Sequence, residues 1–198
     1  MFQSSFSLGI WNAWILQVIY FIVSMQPLVV RKLIKGTIKK ESKRLKDISP
    51  THVKDTLFSK ILYWFLFIIF IISFVITFFL PLQIGTIFFP IGLLLFSIGV
   101  IILFFVIQSW LSSPSDKPIT SGIYQFSRHP MYISMFFSYI GISITTLSWV
   151  FLLLTLIHIF FTILQAKSEE EYCLSKYGHL YQNYMKNTPR WIGFNKAK

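Results

Sequence analysis

Two short polar groups in the second half of the chain have the side chains that charge-dependent chemistry needs. The first is Arg128-His129-Pro130, and the second is Ser168 followed by three glutamates at 169–171. A helix that begins at a proline leaves amide N–H groups free, and these can bind an anion together with arginine and histidine. Carboxylates can bind an ammonium group. If both groups face one cleft, they suit a small zwitterionic ligand.

Both groups also have a purely structural interpretation. Arg128 can extend to lipid headgroups while His129 caps the helix that follows it. Ser168 and Glu171 fit a capping box, which would require a helix to begin at this point. The capping interpretation fails if one helix runs through Ser168 without a break.

The C-terminal segment adds aromatic and cationic side chains to these groups. Tyr177, Tyr181 and Tyr184 recur at helical spacing, which is more typical of packing or of an aromatic belt at a membrane surface than of an adenine platform. Arg190 follows Pro189 in a tail that could fold back over the cleft.

The composition indicates a membrane protein. Of the 198 residues, 55% are hydrophobic and only 13% are charged, whereas soluble domains carry about 25% charged residues. The 22 phenylalanines exceed what one soluble core of this size could bury. The single Cys173 excludes an internal disulfide and a cysteine-based zinc site. The net charge is +11, and the distribution of the basic residues along the chain indicates contact with a membrane surface rather than with nucleic acid.

Five uncharged stretches are candidates for membrane spans, since about 20 apolar residues cross a bilayer. They are residues 8–30, 61–80, 87–111, 131–147 and 149–166. Only Ser148 separates the last two, so we expect a tight helical hairpin that returns both polar groups to the same end. The predicted fold is an all-α polytopic membrane protein with five transmembrane helices, the last two forming this hairpin, and a helical cytoplasmic tail.

The placement of charges predicts the orientation. Residues 31–60 hold ten of the 18 lysines and arginines, and with five spans all the others fall on the same side. The positive-inside rule makes that side cytoplasmic, with the N-terminus outside and the C-terminus inside. The basic loop 31–60 is either an interfacial helix that binds anionic headgroups or only an orientation signal.

We predict two regions, 1–111 with three spans and the basic loop, and 112–198 as the catalytic region. No polar piece is long enough for a nucleotide-binding sheet domain of about 100 residues. A site must therefore be assembled from span ends and the tail.

Several motifs between residues 122 and 191 resemble a known family. They are Gly122-x-Tyr124, Arg128-His129-Pro130-Met131-Tyr132, Glu169-Glu170, Tyr177-Gly178 and Pro189-Arg190. In this combination the chain resembles the integral-membrane isoprenylcysteine carboxyl methyltransferases and the related phospholipid N-methyltransferases. The family often has arginine and leucine where this chain has Gln165 and Cys173.

The resemblance implies S-adenosylmethionine as the methyl donor, bound at the cytoplasmic face, and no metal. It implies the cofactor-binding residues Tyr124, His129, Pro130, Tyr132, Glu169 and Glu170, and the catalytic residues Glu170, Arg190 and Arg128. The implied partners are the bilayer and a lipid or prenylated acceptor, with no nucleic acid.

We predict an S-adenosylmethionine-dependent methyltransferase that acts on a lipidated or lipid acceptor, with carboxyl methylation of an isoprenylcysteine-type substrate preferred. Phospholipid N-methylation is the first alternative, in which Glu170 would be the base. The second is an NADPH-dependent sterol-type reductase, which has a similar hairpin but carries asparagine where this chain has Met131. The third is a non-catalytic membrane scaffold.

Overall fold

The computed structural model describes residues 7–26, 57–113 and 117–193, and within these ranges the protein is all-α. A short 3₁₀ turn, Gly122–Gln125, precedes the hairpin. The α-helices of the described part are α1 Trp14–Ser24, α2 Leu57–Thr77, α3 Phe88–Ser112, α4 Pro130–Thr146, α5 Trp149–Tyr177 and α6 His179–Asn187. The all-α prediction is confirmed for these residues.

Three of the described helices, α2, α3 and α5, are long and apolar enough to cross a membrane. They correspond to the second, third and fifth predicted spans, although α2 ends at Thr77, three residues before the second predicted span does. Helix α4 coincides with the fourth but has 17 residues, and α1 has 11, so the count of five spans stays a prediction. Most of the basic loop, residues 31–56, lies outside the described residues.

The first predicted span begins too early in the sequence interpretation. Helix α1 starts at Trp14 rather than at residue 8, because the residues before it pair with the segment after α2. The Asn12 side chain donates to the carbonyl oxygen of Phe78 at 2.7 Å, and the amide of Ala13 donates to that of Leu80 at 2.9 Å. These hydrogen bonds pair the Asn12 side chain and the Ala13 amide with carbonyl oxygens that follow α2. A helix over the same residues would pair its backbone groups within itself instead.

Close packing between α3 and α4 depends on glycines. A Cβ atom built on Gly99 of α3 would lie 2.2 Å from Ser138 Oγ on α4. A Cβ on Gly141 of α4 would lie 2.5 Å from the amide nitrogen of Phe96 on α3. Small residues at such contacts let helix backbones approach closely, as is common in membrane proteins. This contact fixes the position of α4, and α4 carries the first polar group at its start.

Helices α4 and α5 form the predicted hairpin. Leu147 ends α4 in the left-handed conformation, with φ 49°, and Ser148 caps α5 by accepting a hydrogen bond from the amide of Phe151 at 3.2 Å. Helix α5 then continues without a break through Ser168 to Tyr177. The capping-box interpretation of Ser168 is therefore wrong, because no helix begins there. The Ser168 hydroxyl instead meets that of Ser59 on α2 at 2.7 Å.

Candidate active site

The two polar groups meet where α4 begins and the polar end of α5 passes it. Pro130 is the first residue of α4, and His129 lies just outside the helix. Because the two helices are antiparallel and joined by only Leu147 and Ser148, the start of α4 lies beside the last turns of α5. The prediction that both groups face one site is confirmed by direct contacts between them.

Glu170 is the centre of this charged cluster. Its Oε1 atom lies 3.2 Å from Nε2 of His129, 3.3 Å from Nη1 of Arg128 and 3.0 Å from Nε of Arg190. Its Oε2 atom accepts a 2.6 Å bond from Nη2 of Arg190. A buried carboxylate needs compensation of this kind, since an unpaired charge in the interior is costly. Glu170 therefore holds three cationic side chains of the cluster together.

His129 lies between two carboxylates. Its Nδ1 atom is 3.5 Å from Oε2 of Glu169, and the other oxygen of Glu169 accepts a short hydrogen bond from the hydroxyl of Tyr132. Burial lowers the pKa of His129, but hydrogen bonds to Glu169 and Glu170 outweigh this and raise the pKa above its usual value. The Tyr132 ring stacks on the imidazole at 5.6 Å. The imidazole is thereby fixed in position and favoured in its charged form.

The side chain of Arg128 is buried rather than extended to headgroups. It is only 9% exposed, and its Nε and Nη1 atoms make no hydrogen bond among the described residues, although Nη1 is within ion-pair distance of Glu170. A buried guanidinium has donors in a fixed fork that fits a carboxylate. The interpretation of Arg128 as a headgroup contact is therefore wrong. The expected side-chain cap by His129 is also not observed.

The tail folds back over the cleft and delivers Arg190. The amide of Arg128 donates to the carbonyl oxygen of Pro189 at 3.1 Å, and the amide of Gly193 donates to that of Phe126 at 3.2 Å. The Ser127 hydroxyl also donates to the carbonyl oxygen of Arg190 at 3.1 Å. The hydrogen bonds that Arg190 donates to Glu170 raise the pKa of the Arg190 guanidinium. The expected approach of Arg190 to the site is confirmed.

The part of the chain from α3 to the end of α5 is similar to a known family. The family model described as phospholipid methyltransferase matches residues 87–179. The resemblance to membrane methyltransferases is thereby confirmed for this region. Comparisons with curated proteins and with solved structures find no match.

The charged cluster is supported by residues beyond those that the sequence singled out. Trp110 Nε1, at the end of α3, donates to the hydroxyl of Tyr124 at 2.6 Å. The Tyr184 hydroxyl on α6 donates to the carbonyl oxygen of Tyr124 at 2.6 Å. These bonds tie α3 and α6 to the loop that carries Arg128. No sequence pattern pointed to Trp110, whereas the helical spacing of the tyrosines predicts a packing role for Tyr184.

Gly122 begins this loop for a steric reason. Its φ is +63°, and a Cβ would lie 2.3 Å from the Ser109 hydroxyl oxygen, so other residues would be strained here. No group of three or more potential metal-ligating His, Cys, Asp or Glu side chains occurs in the described ranges. The three long apolar helices and the family together indicate an integral membrane protein.

Proposed function

We propose that the protein is an S-adenosylmethionine-dependent methyltransferase that acts on a lipid acceptor at the membrane surface. The observation that carries the proposal is the buried Arg128 guanidinium, whose Nε and Nη1 atoms make no hydrogen bond with any residue that the structure describes. It lies beside Glu170 within a region that matches membrane methyltransferases. Buried donors without partners cost free energy, so a ligand that supplies a carboxylate would be bound strongly here.

The residues present fit the zwitterionic part of the donor. Arg128 would bind its carboxylate, and Glu169, which is 25% exposed, would bind its ammonium group. His129 and Tyr132 would line the pocket and hold Glu169 in position. Tyr124 and Pro130 stay predicted cofactor-binding residues, although the Tyr124 hydroxyl already accepts from Trp110. When bound, the donor supplies an electrophilic methyl group on a positively charged sulfur.

The cluster favours a carboxylate as the acceptor. Glu170 is surrounded by Arg128, His129 and Arg190 and is therefore a poor proton acceptor, since protonation would weaken all three contacts. A carboxylate acceptor has no proton to lose. It requires alignment and a dry site, and the Arg128 and Glu170 side chains are only 9% and 4% exposed. Arg190, which is 33% exposed, would orient this carboxylate.

A phospholipid amine is the second candidate acceptor, and the description of the matching family favours it. An amine must lose a proton before or during attack. Because Glu170 is engaged by three cationic side chains, it is a poorer base for this step than the sequence suggested. The acceptor's hydrocarbon part would stay in the bilayer in either reaction.

The test is incubation of the purified protein with methyl-labelled S-adenosylmethionine, total membrane lipid and a prenylcysteine analogue. A labelled product that releases methanol in base identifies carboxyl methylation, and a base-stable product identifies N-methylation. Variants His129→Ala and Glu170→Ala should lose transfer. If the wild-type protein transfers no label and binds NADPH instead, it is a reductase. If it has neither activity, the scaffold function replaces our proposal.

A further inference from the structure

Trp191 lies beside the charged cluster, and the proposed reaction assigns it no role. Its indole lies 5.8 Å from the ring of His129 and 5.8 Å from the ring of Phe136. His129 belongs to the charged cluster, whereas Phe136 lies seven residues further along α4, about 10 Å deeper along the helix axis. The indole therefore connects the charged cluster with the apolar side of α4.

The backbone around Trp191 is fixed rather than loosely attached. The carbonyl oxygens of Pro189 and Arg190 accept hydrogen bonds from Arg128 and Ser127, and Gly193 donates to Phe126. Trp191 thus lies between Arg190 and Gly193, whose backbones are both anchored. Arg190 at the preceding position bonds to Glu170. The indole is consequently placed with a defined relation to the point where we expect methyl transfer.

We propose that Trp191 and Phe136 form the binding site for the first part of the acceptor's hydrocarbon chain. This inference rests on the proposed function and specifies where the lipid lies. An acceptor whose reactive group meets Arg190 must place its chain on apolar surface immediately below the charged cluster. The Trp191 indole and the Phe136 ring supply that surface, and they are contiguous with His129.

The chemistry of tryptophan suits this position. Its ring buries a large apolar area at little cost in conformational entropy, and it is preferred at the depth where headgroups meet hydrocarbon. The next residue, Ile192, is 71% exposed, which extends the apolar surface outward. A hydrocarbon chain that packs on this surface is removed from water, so the surface should distinguish an acceptor that carries a chain from one that lacks it.

The first experiment measures steady-state kinetics for Trp191→Ala and Trp191→Phe with acceptors that carry or lack the hydrocarbon chain. The probes are S-farnesyl and S-methyl cysteine analogues, or long-chain phosphatidylethanolamine and glycerophosphoethanolamine if the amine is the active class. We expect Trp191→Ala to raise the KM of the acceptor that carries the chain about tenfold, equivalent to about 1.4 kcal/mol. The KM of the acceptor without a chain and the Kd of S-adenosylmethionine should change little, and Trp191→Phe should restore most of the loss.

The matched control is Trp149→Ala, a tryptophan that is also partly exposed but lies at the opposite end of α5. It should leave both KM values unchanged. An equal rise of KM for the acceptors with and without the chain, a parallel loss of S-adenosylmethionine affinity, or no effect of Trp191→Ala would overturn the inference.

The second experiment does not depend on turnover. Tryptophan fluorescence is measured while a brominated-chain analogue of the acceptor is added at low mole fraction to unbrominated bilayers. Saturable quenching in the wild type that is missing from Trp191→Phe supports the site, and equal quenching in both proteins overturns it. Absence of methyl transfer with this quenching intact would instead contradict the proposed function alone.

Discussion

At the scale of single residues, Glu170 determines whether the site exists. It compensates the charges of Arg128, His129 and Arg190 at once. Removal of one member of a buried ion-pair cluster is costly because it leaves the other charges without compensation. The same side chain is therefore important for stability and for the geometry of the site.

We expect Glu170→Gln, which preserves the shape of the side chain, to lower the free energy of unfolding by about 3 kcal/mol or more. It should also lower kcat/KM by on the order of 100-fold, because the cationic groups lose their common anchor. Glu171→Gln, at an exposed position on the same helix, is the control. Thermal unfolding in detergent and a methyl-transfer assay measure both effects, and equal behaviour of the two variants would contradict this role of Glu170.

His129 makes the stability of the protein depend on pH. Its pKa is raised in the folded state by the adjacent carboxylates, and in the unfolded chain it returns to about 6.5. The stabilising contribution is therefore complete below about pH 6.5 and is lost as the pH rises through the higher folded value. Unfolding temperatures measured across this interval should fall in the wild type and stay flatter in His129→Gln. A flat wild-type profile would refute the contribution.

At the scale of elements, the contact between α3 and α4 positions the start of α4. We expect Gly141→Ala to cost about 1–3 kcal/mol, since its Cβ would overlap the backbone of Phe96 and force the helices apart. Gly85→Ala is the matched control, because a Cβ there meets nothing within 4 Å. Denaturation of both variants in detergent tests the difference. Similar stabilities would show that the two helices can separate without cost.

The sequence could predict the helical elements and the pairing of Arg128 with Glu170, but not the whole site. Antiparallel helices joined by Ser148 necessarily return Arg128 and Glu170 to one end, so this pairing follows from local pattern. The start of α1 does not, because it depends on contacts between Asn12 and the distant Phe78. The role of Trp191 likewise depends on backbone hydrogen bonds between segments far apart in the chain. Such contacts carry no periodic signal.

At the scale of the whole molecule, the charge pattern predicts the orientation in the membrane. The placement of charges predicts that the tail is cytoplasmic and that the turn around Gly85 faces outward. In a Cys173→Ser background, Gly85→Cys should react with an impermeant maleimide on intact cells, whereas Lys186→Cys should react only after permeabilisation. The background protein without an added cysteine is the control. The reverse labelling pattern would invert the predicted topology.

The continuity of α5 couples the site to the lipid around it. Its 29 residues extend about 43 Å, whereas the hydrocarbon layer is about 30 Å thick. Glu169 and Glu170 therefore lie on one rigid helix whose apolar part is surrounded by acyl chains. When the hydrocarbon layer thickens, the helix must tilt less or shift along the membrane normal, and the carboxylates move toward the hydrocarbon. The rate of methyl transfer should accordingly report the thickness of the membrane in which the enzyme works.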